Sequence, residues 1–214
     1  MNNDTPSQRG NLAYRYTNEC IEAIMAGMRP FPEDRILAVG GSGDQAFALI
    51  EYAKEVVVAE MEPAQMAYIA RRKELLESGD YEGFMHLGNP LEEMRPENVD
   101  YFLAEGRLDR IRAKLPALVL GEPKPLEEHA SEQKFTKIYA SNATDGCYRT
   151  IPAQELLNAL IGGLEPGGLL YLSTPSILKA MGVNSQGIVM MGDLTMRARQ
   201  VNPGNFQPSV YVKV

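Results

Sequence analysis

The chain has no tryptophan, two histidines and two cysteines among its 214 residues. Cys20 and Cys147 lie too far apart for a disulfide framework or a metal-ligand spacing, which suits a reducing compartment. His86 and His129 show no spacing that marks a base with its acid, so each reads as a surface or packing histidine. No run approaches the roughly 18 apolar residues of a membrane helix. The polar start, MNNDTPSQRG, lacks the apolar core of a signal peptide and reads as a frayed tail. These absences set the expectation of a cytoplasmic protein with no membrane partner. A basic surplus is missing too: 21 Lys and Arg face 28 Asp and Glu, a net charge of −7. Phosphate-backbone binding needs the opposite sign, so a nucleic-acid partner is not expected and a small-molecule substrate is. The one tight basic cluster, Arg71-Arg72-Lys73, reads as a solvated helix face. No cluster of His, Cys, Asp and Glu has metal spacing, so no metal is expected. Internal repeats are absent, which argues against a solenoid. Oligomeric state is open.

What is present is an ordinary globular composition, 44% hydrophobic and 23% charged, at a length that buries a full core in one domain. Residues 11–28 read as a helix, with Ile21, Ile24, Met25 and Met28 at helical spacing. Two prolines in RPFPED stop it. RILAV at 35–39 suits a buried parallel strand, followed by the turn GGSGD and a helix over 45–52. EVVVA at 55–59 is a second strand. Pro63 opens the next helix and Gly79 closes it. Phe84–Leu87 reads as a third strand. Residues 89–133, rich in proline, read as an insertion or lid carrying one helix around 99–115. Alternation resumes with a strand at 135–140, a helix at 151–162 and a strand at 169–173. TMRARQV and PSVYVKV then read as two strands joined by a tight loop. The expected fold is therefore α/β, a Rossmann-like doubly wound, mostly parallel sheet with a C-terminal antiparallel hairpin. The expected division is a tail and lid helix over 1–34 and a nucleotide-type binding domain over 35–214.

The glycine turn has no G-x-G-x-x-G, because Ala46 stands where the last glycine would be, and no Gly-Lys-Ser/Thr follows. By itself such a turn is equally a site of close packing. Glu60 ends the second strand about 20 residues later, where an acid accepts the two hydroxyls of a ribose. Its bland reading is an exposed charge closing a strand, and Glu62 competes for the same role. Asp44 reads either as a holder of a ligand amino group or as a cap of the helix that follows. An acidic turn suits S-adenosylmethionine (SAM), which carries no phosphate, better than NAD.

Gly40, Gly41, Ser42, Gly43 and Asp44, followed by Glu60-Met61-Glu62-Pro63-Ala64-Gln65, resemble the nucleotide-binding part of the betaine-lipid 3-amino-3-carboxypropyl transferases and their small relatives. Tyr14, Tyr16 and Glu19 are similar to that family's aromatic-acid first helix, and LEPGGLLY at 164–171 resembles the fifth strand of many methyltransferases. The family usually has aspartate where Glu60 stands and asparagine where Glu62 stands, and its lipid-handling second domain has no counterpart here. The resemblance implies a class I methyltransferase-like fold, SAM as substrate or donor, and cofactor contacts at residues 40–44, Glu60, Met61, Tyr14 and Tyr16. It also implies reaction at the γ-carbon of the aminocarboxypropyl arm, releasing methylthioadenosine. That covers transfer to a small acceptor or cyclisation of SAM to azetidine-2-carboxylate. The alternatives are a small-molecule methyltransferase and a non-catalytic SAM-binding protein.

Such a displacement needs alignment and electrostatics more than it needs a cofactor. The end of the fourth strand, YASNATD at 139–145, is where polar groups would meet the sulfonium. Asn142 is the leading catalytic candidate, its carbonyl oxygen holding an amino nucleophile in line; Ser141 and Asp145 share that reading. Ordinary turn chemistry is the alternative for all three. With tryptophan absent, an aromatic wall for the sulfonium falls to Tyr171, Tyr148, Tyr14 or Tyr16, each of which also reads as core packing. Ser173 and Thr174 are candidate pocket residues at the end of the fifth strand. Cys147 reads as an inert thiol rather than a nucleophile, and Met190 and Met191 as core or pocket border.

Overall fold

A computed structural model of the chain describes residues 12–87, 93–143, 150–173, 186–202, 204 and 206–214. Its elements run α1 (Ile21–Met28), β1 (Arg35–Val39), α2 (Asp44–Ile50), β2 (Glu55–Ala59), α3 (Pro63–Ser78) and α4 (Tyr81–His86). These are followed by α5 (Pro96–Leu103), α6 (Arg107–Lys114), β3 (Leu118–Leu120), α7 (Leu126–Glu132) and β4 (Phe135–Ser141). The chain ends with α8 (Ala153–Gly163), β5 (Leu164–Leu172), β6 (Ile188–Met190), α9 (Gly192–Gln200) and β7 (Ser209–Lys213).

Seven strands form one sheet in the order β3-β2-β1-β4-β5-β7-β6. The first five are parallel, and β7 runs antiparallel between β5 and β6. The expected doubly wound sheet with an antiparallel C-terminal pair is thus the observed one. Side chains alternate across it: Ile36, Ala38, Val56 and Val58 enter one core, while Leu37, Val57, Ile138 and Leu170 enter the other. Burial on both faces explains why these strands are continuous apolar runs. Where α7 crosses α8, a Cβ on Gly163 would lie 2.5 Å from the Ala130 carbonyl oxygen. We expect Gly163→Ala to cost about 1–3 kcal/mol, the range for overpacking. A denaturant midpoint equal to wild type would show that the two helices can move apart.

Four local expectations need correction. Residues 12–20 are not helical: Asn98 Oδ1 accepts the Ile21 N–H (2.9 Å) and Asn98 Nδ2 donates to the Glu19 carbonyl (2.8 Å), so a residue 77 positions away starts the helix. Phe84–Leu87 is not a strand but lies in and just beyond α4, whose first turn is held by Asp80 Oδ1 on the Gly83 N–H (2.8 Å). The single helix expected around 99–115 is two, because Gly106 at φ 67° breaks it, and the presumed insertion contributes β3 to the sheet. TMRARQV is helical, with Leu194, Thr195 and Ala198 buried, so its period is that of α9; the antiparallel partner of β7 beyond β5 is β6. Among the described residues no helix is long and apolar enough to cross a membrane.

Candidate functional site

Strand order reverses about β1, with β2 on one side and β4 on the other, so the loops after β1 and β4 part and leave a crevice at the strands' carboxyl ends. A cavity of about 500 Å³ lies there, within the usual range for a small-molecule site. Gly41, Ser42, Gln45, Glu60, Met61 and Glu62 line its β1–β2 half, and Glu19, Tyr139, Ser141 and Asn142 its β4 half.

The turn after β1 needs its glycines. A Cβ on Gly40 would sit 2.7 Å from Glu60 Cβ, and Gly41 and Gly43 adopt φ of 51° and 86°. This close approach sets Glu60 over the turn: its Oε2 accepts the Gly41 N–H (2.9 Å) and its Oε1 the Glu62 N–H (3.0 Å). Gln45, in the first turn of α2, donates through Nε2 to the Val39 and Gly40 carbonyls (2.8 Å each). Its Oε1 is buried on the pocket wall and has no partner among the described residues. An orphan acceptor beside a carboxylate fits a ligand that brings hydrogen-bond donors or positive charge.

Asp44 does not line the pocket, and its side chain does not cap α2. Its Oδ1 pairs with Arg72 Nη1 (2.6 Å), both side chains being fully buried, while its Oδ2 accepts the Thr17 N–H (2.7 Å) and the Ser42 hydroxyl (2.8 Å). Arg72 is correspondingly no part of a solvated face. It lies over the Phe84 ring (4.5 Å), near Phe47 (5.4 Å), and donates to the Ser42 and Phe84 carbonyls. The pair fastens the glycine turn, α3 and the N-terminal segment together.

That segment, residues 13–19, forms a strap along one wall of the pocket. Gln65 grips its backbone at Tyr14, donating to the carbonyl (2.6 Å) and accepting from the N–H (3.2 Å), and Tyr68 donates to the Arg15 carbonyl (2.8 Å). Tyr14 lines the pocket as expected. Tyr16 does not: it is turned into the core, donates to the Met85 carbonyl (3.1 Å), and burial pushes its phenol up to about 12.

The strap ends at Glu19, which is 4% exposed. Tyr139 donates to its Oε1 (2.9 Å), as does Ser141, and Ser173 donates to its Oε2. Burial drives the carboxyl above its usual range, and the hydroxyls of Ser141, Ser173 and Tyr139 oppose that rise. Tyr139 and Tyr171 are themselves held well above the ordinary tyrosine value by burial first and the Glu19 charge second, so Tyr139 remains a donor. Ser141 adopts φ 51°, a left-handed conformation unusual for a residue with a Cβ, where β4 turns into the site. Its oxygen is also 3.2 Å from Asn142 Oδ1. One hydroxyl has one proton, and that proton goes to Glu19. The satisfiable amide orientation therefore has Asn142 Nδ2 donating to Ser141, leaving the Asn142 carbonyl oxygen free to accept.

Tyr171 is displaced from its expected place. It is buried against Tyr139, ring centroids 5.5 Å apart, and lies beneath Gly27, off the pocket wall. His129 is a packing residue: Nε2 is 3.2 Å from the Glu122 carbonyl, and burial lowers its pKa. Met190 is exposed on β6, away from the pocket. Asp145, Cys147, Tyr148 and Thr174 lie outside the described residues. Sequence reasoning missed Gln45, Gln65 and Asn98, whose roles rest on contacts that a lone polar residue in a helix does not announce.

No family model matches the chain, and no curated protein matches it in sequence. Solved structures do share its fold. The N-methyltransferase NodS from Bradyrhizobium japonicum WM9, in complex with S-adenosyl-L-homocysteine, aligns with a TM-score of 0.53 at 9% identity over 96% of this chain and 94% of that one. TrmN from Thermus thermophilus gives 0.53 at 15% identity over 91% of this chain, which spans about half (48%) of that protein. At such identities the likeness is one of fold: the class I methyltransferase architecture, as the strand order already indicates.

Proposed function

We propose that the protein is a SAM-dependent transferase acting on a small molecule. The observation that carries this reading is the charge of the pocket. Among the described residues its lining holds four glutamates, Glu19, Glu60, Glu62 and Glu127, and no lysine, arginine or histidine. A nucleotide with phosphates has no counter-charge there, whereas SAM is a nucleoside with a sulfonium, an α-ammonium and no phosphate. Glu60, at the carboxyl end of β2 over the glycine turn, is set to accept the ribose hydroxyls. The buried acceptor Gln45 Oε1 is suited to a donor on the amino-acid arm. Asn142 and Ser141, at the end of β4, stand beside the place left for the reacting carbon.

Methyl transfer is the primary reading, supported by the likeness of fold to an N-methyltransferase. Chemistry on the aminocarboxypropyl arm is the second, and a specific feature favours it. The strap and its clamps enclose a cavity in the lower half of the small-molecule range, so a substrate that needs little room beside SAM suits it.

The test is to incubate the purified protein with SAM, alone and with small amine and hydroxyl acceptors, and to identify the nucleoside by mass spectrometry. S-adenosylhomocysteine appearing with an acceptor establishes methyl transfer. Methylthioadenosine establishes the second reading, and its release from SAM alone, with a cyclic amino acid, establishes cyclisation. Failure to bind SAM in calorimetry overturns both.

A further inference from the structure

Glu19 presents a problem of charge. Carboxylates are almost never fully buried without a counter-ion, and among the described residues Glu19 has no ion-pair partner. Arg95 acts on it only through space, while its guanidinium pairs with Glu97 and donates to the Asn18 carbonyl. Three hydroxyls, from Tyr139, Ser141 and Ser173, surround it instead. An ionised carboxylate offers about four lone-pair directions, so this ring leaves one on Oε2, the oxygen that among the described residues receives only Ser173.

The fold gives that vacancy a location. Tyr139, Ser141 and Ser173 come from β4 and the residue just after β5, on the opposite side of β1 from Glu60 and β2. Glu19 therefore belongs to the half of the pocket away from the nucleoside, where the nucleophile must stand. The ring is built from donors only, which suits an anionic Glu19.

We propose, resting on the SAM reading above, that this site takes an aliphatic amine as nucleophile, with Glu19 as its counter-ion and proton acceptor. The ammonium gives one proton to Glu19 Oε2, and the freed nitrogen lone pair attacks the carbon bound to the sulfonium. The C–S bond breaks with its electron pair remaining on sulfur, leaving a neutral thioether, and the positive charge ends on the alkylated nitrogen beside the now protonated Glu19 carboxyl. The elevated proton affinity of Glu19 narrows the gap to the amine it must deprotonate. Besides Tyr139, the titratable groups around it are Tyr171, Cys20 and Arg95.

The same chemistry admits two sources, a separate small amine or the α-amine of SAM itself, and ligand binding separates them. Wild type and Glu19→Gln are titrated calorimetrically with three probes. Sinefungin carries an aliphatic ammonium in place of the methylsulfonium; S-adenosylhomocysteine keeps only the α-ammonium; methylthioadenosine has neither. A loss of at least tenfold for sinefungin, with S-adenosylhomocysteine within threefold, supports an amine at the transfer position from a separate acceptor. A loss of at least tenfold for both, with methylthioadenosine unchanged, supports the donor's own amine. Unchanged affinity for all three overturns the inference and leaves the SAM reading standing. If none of the three binds the wild type, the SAM reading fails and this inference falls with it.

Thermal unfolding of the same variant distinguishes a functional group from a structural one. The folded-state pKa of Glu19 lies above its unfolded value of 4.5, so its favourable contribution is present below pH 4.5 and is lost as pH rises through the folded value. Above the folded value the ionised group is a net cost, and there Glu19→Gln is expected to hold or raise the unfolding midpoint while removing the charge preference. Should that variant fail to fold, Glu19→Asp keeps the charge one methylene farther back. It is expected to reduce the preference for sinefungin over methylthioadenosine at least threefold, and an unchanged preference would count against the proposal.

Discussion

Arg72→Met is expected to lower the unfolding midpoint by roughly 6–20 °C, the equivalent of about 3–5 kcal/mol in a chain of this size. The reason is what the substitution leaves behind. Asp44, fully buried, loses the Arg72 guanidinium at 2.6 Å and remains as an uncompensated carboxylate among Phe47, Ser42 and the strap. Methionine fills much of the space over the Phe84 and Phe47 rings, so the deficit comes from charge rather than from a cavity. Adding Asp44→Asn is therefore expected to recover most of the loss, because the pair is then replaced by neutral groups of similar shape. Thermal unfolding of the two variants side by side checks this. A single variant within a degree of wild type would mean that water reaches Asp44 when the arginine is gone. The consequence extends to the pocket, since Asp44 holds the Thr17 N–H and so fixes the strap two residues before Glu19.

Glu60→Ala is expected to weaken SAM binding about tenfold to hundredfold, the equivalent of losing charge-assisted hydrogen bonds worth roughly 1.5–3 kcal/mol. Glu62→Ala is expected to stay within threefold. Both acids line the pocket, and sequence spacing alone does not choose between them. Geometry favours Glu60: its carboxylate is held by the Gly41 and Glu62 N–H groups, and so is pre-oriented over the glycine turn. Glu62 stands exposed at the start of α3, and its side chain caps nothing there. Calorimetric titration of both variants decides the matter. If Glu62→Ala shows the larger loss, the ribose contact belongs to it and the orienting bonds of Glu60 serve only to brace the turn.

Much of the frame was readable without coordinates, because it depends on local periodicity. The apolar runs at 35–39 and 55–59, the glycine turn between strand and helix, Pro63 at the start of α3 and Gly79 at its end all express short-range physics. Together they determine a doubly wound sheet with a crevice between β1 and β4. The position of Glu60 follows as well, since the end of a strand is fixed by the length of its apolar run. Local pattern misled where a distant side chain decides. The helical spacing of Ile21, Ile24, Met25 and Met28 suggests a helix reaching back through the preceding residues, yet Gln65, Asp44 and Asn98 take the backbone groups of residues 14–21 and hold residues 13–19 along the pocket as a strap. TMRARQV alternates like a strand, but α9 buries Ala198 against α1 and so takes the helical period.

The sequence by itself determined the architecture, the acidic character of the chain and one end of the site, because each depends on composition or on neighbours within a turn or strand. Only the tertiary structure decided which polar residues share the pocket. Asp44 and Glu19 look alike as isolated acids beside helices, and both are buried. Folding gives Asp44 an arginine from α3 and, among the described residues, gives Glu19 only hydroxyls from β4 and the residue after β5. Whether a buried charge is compensated depends on residues 28 positions away in one case and 120 or more in the other. That separation is why one acid became a fastening and the other is left facing the pocket.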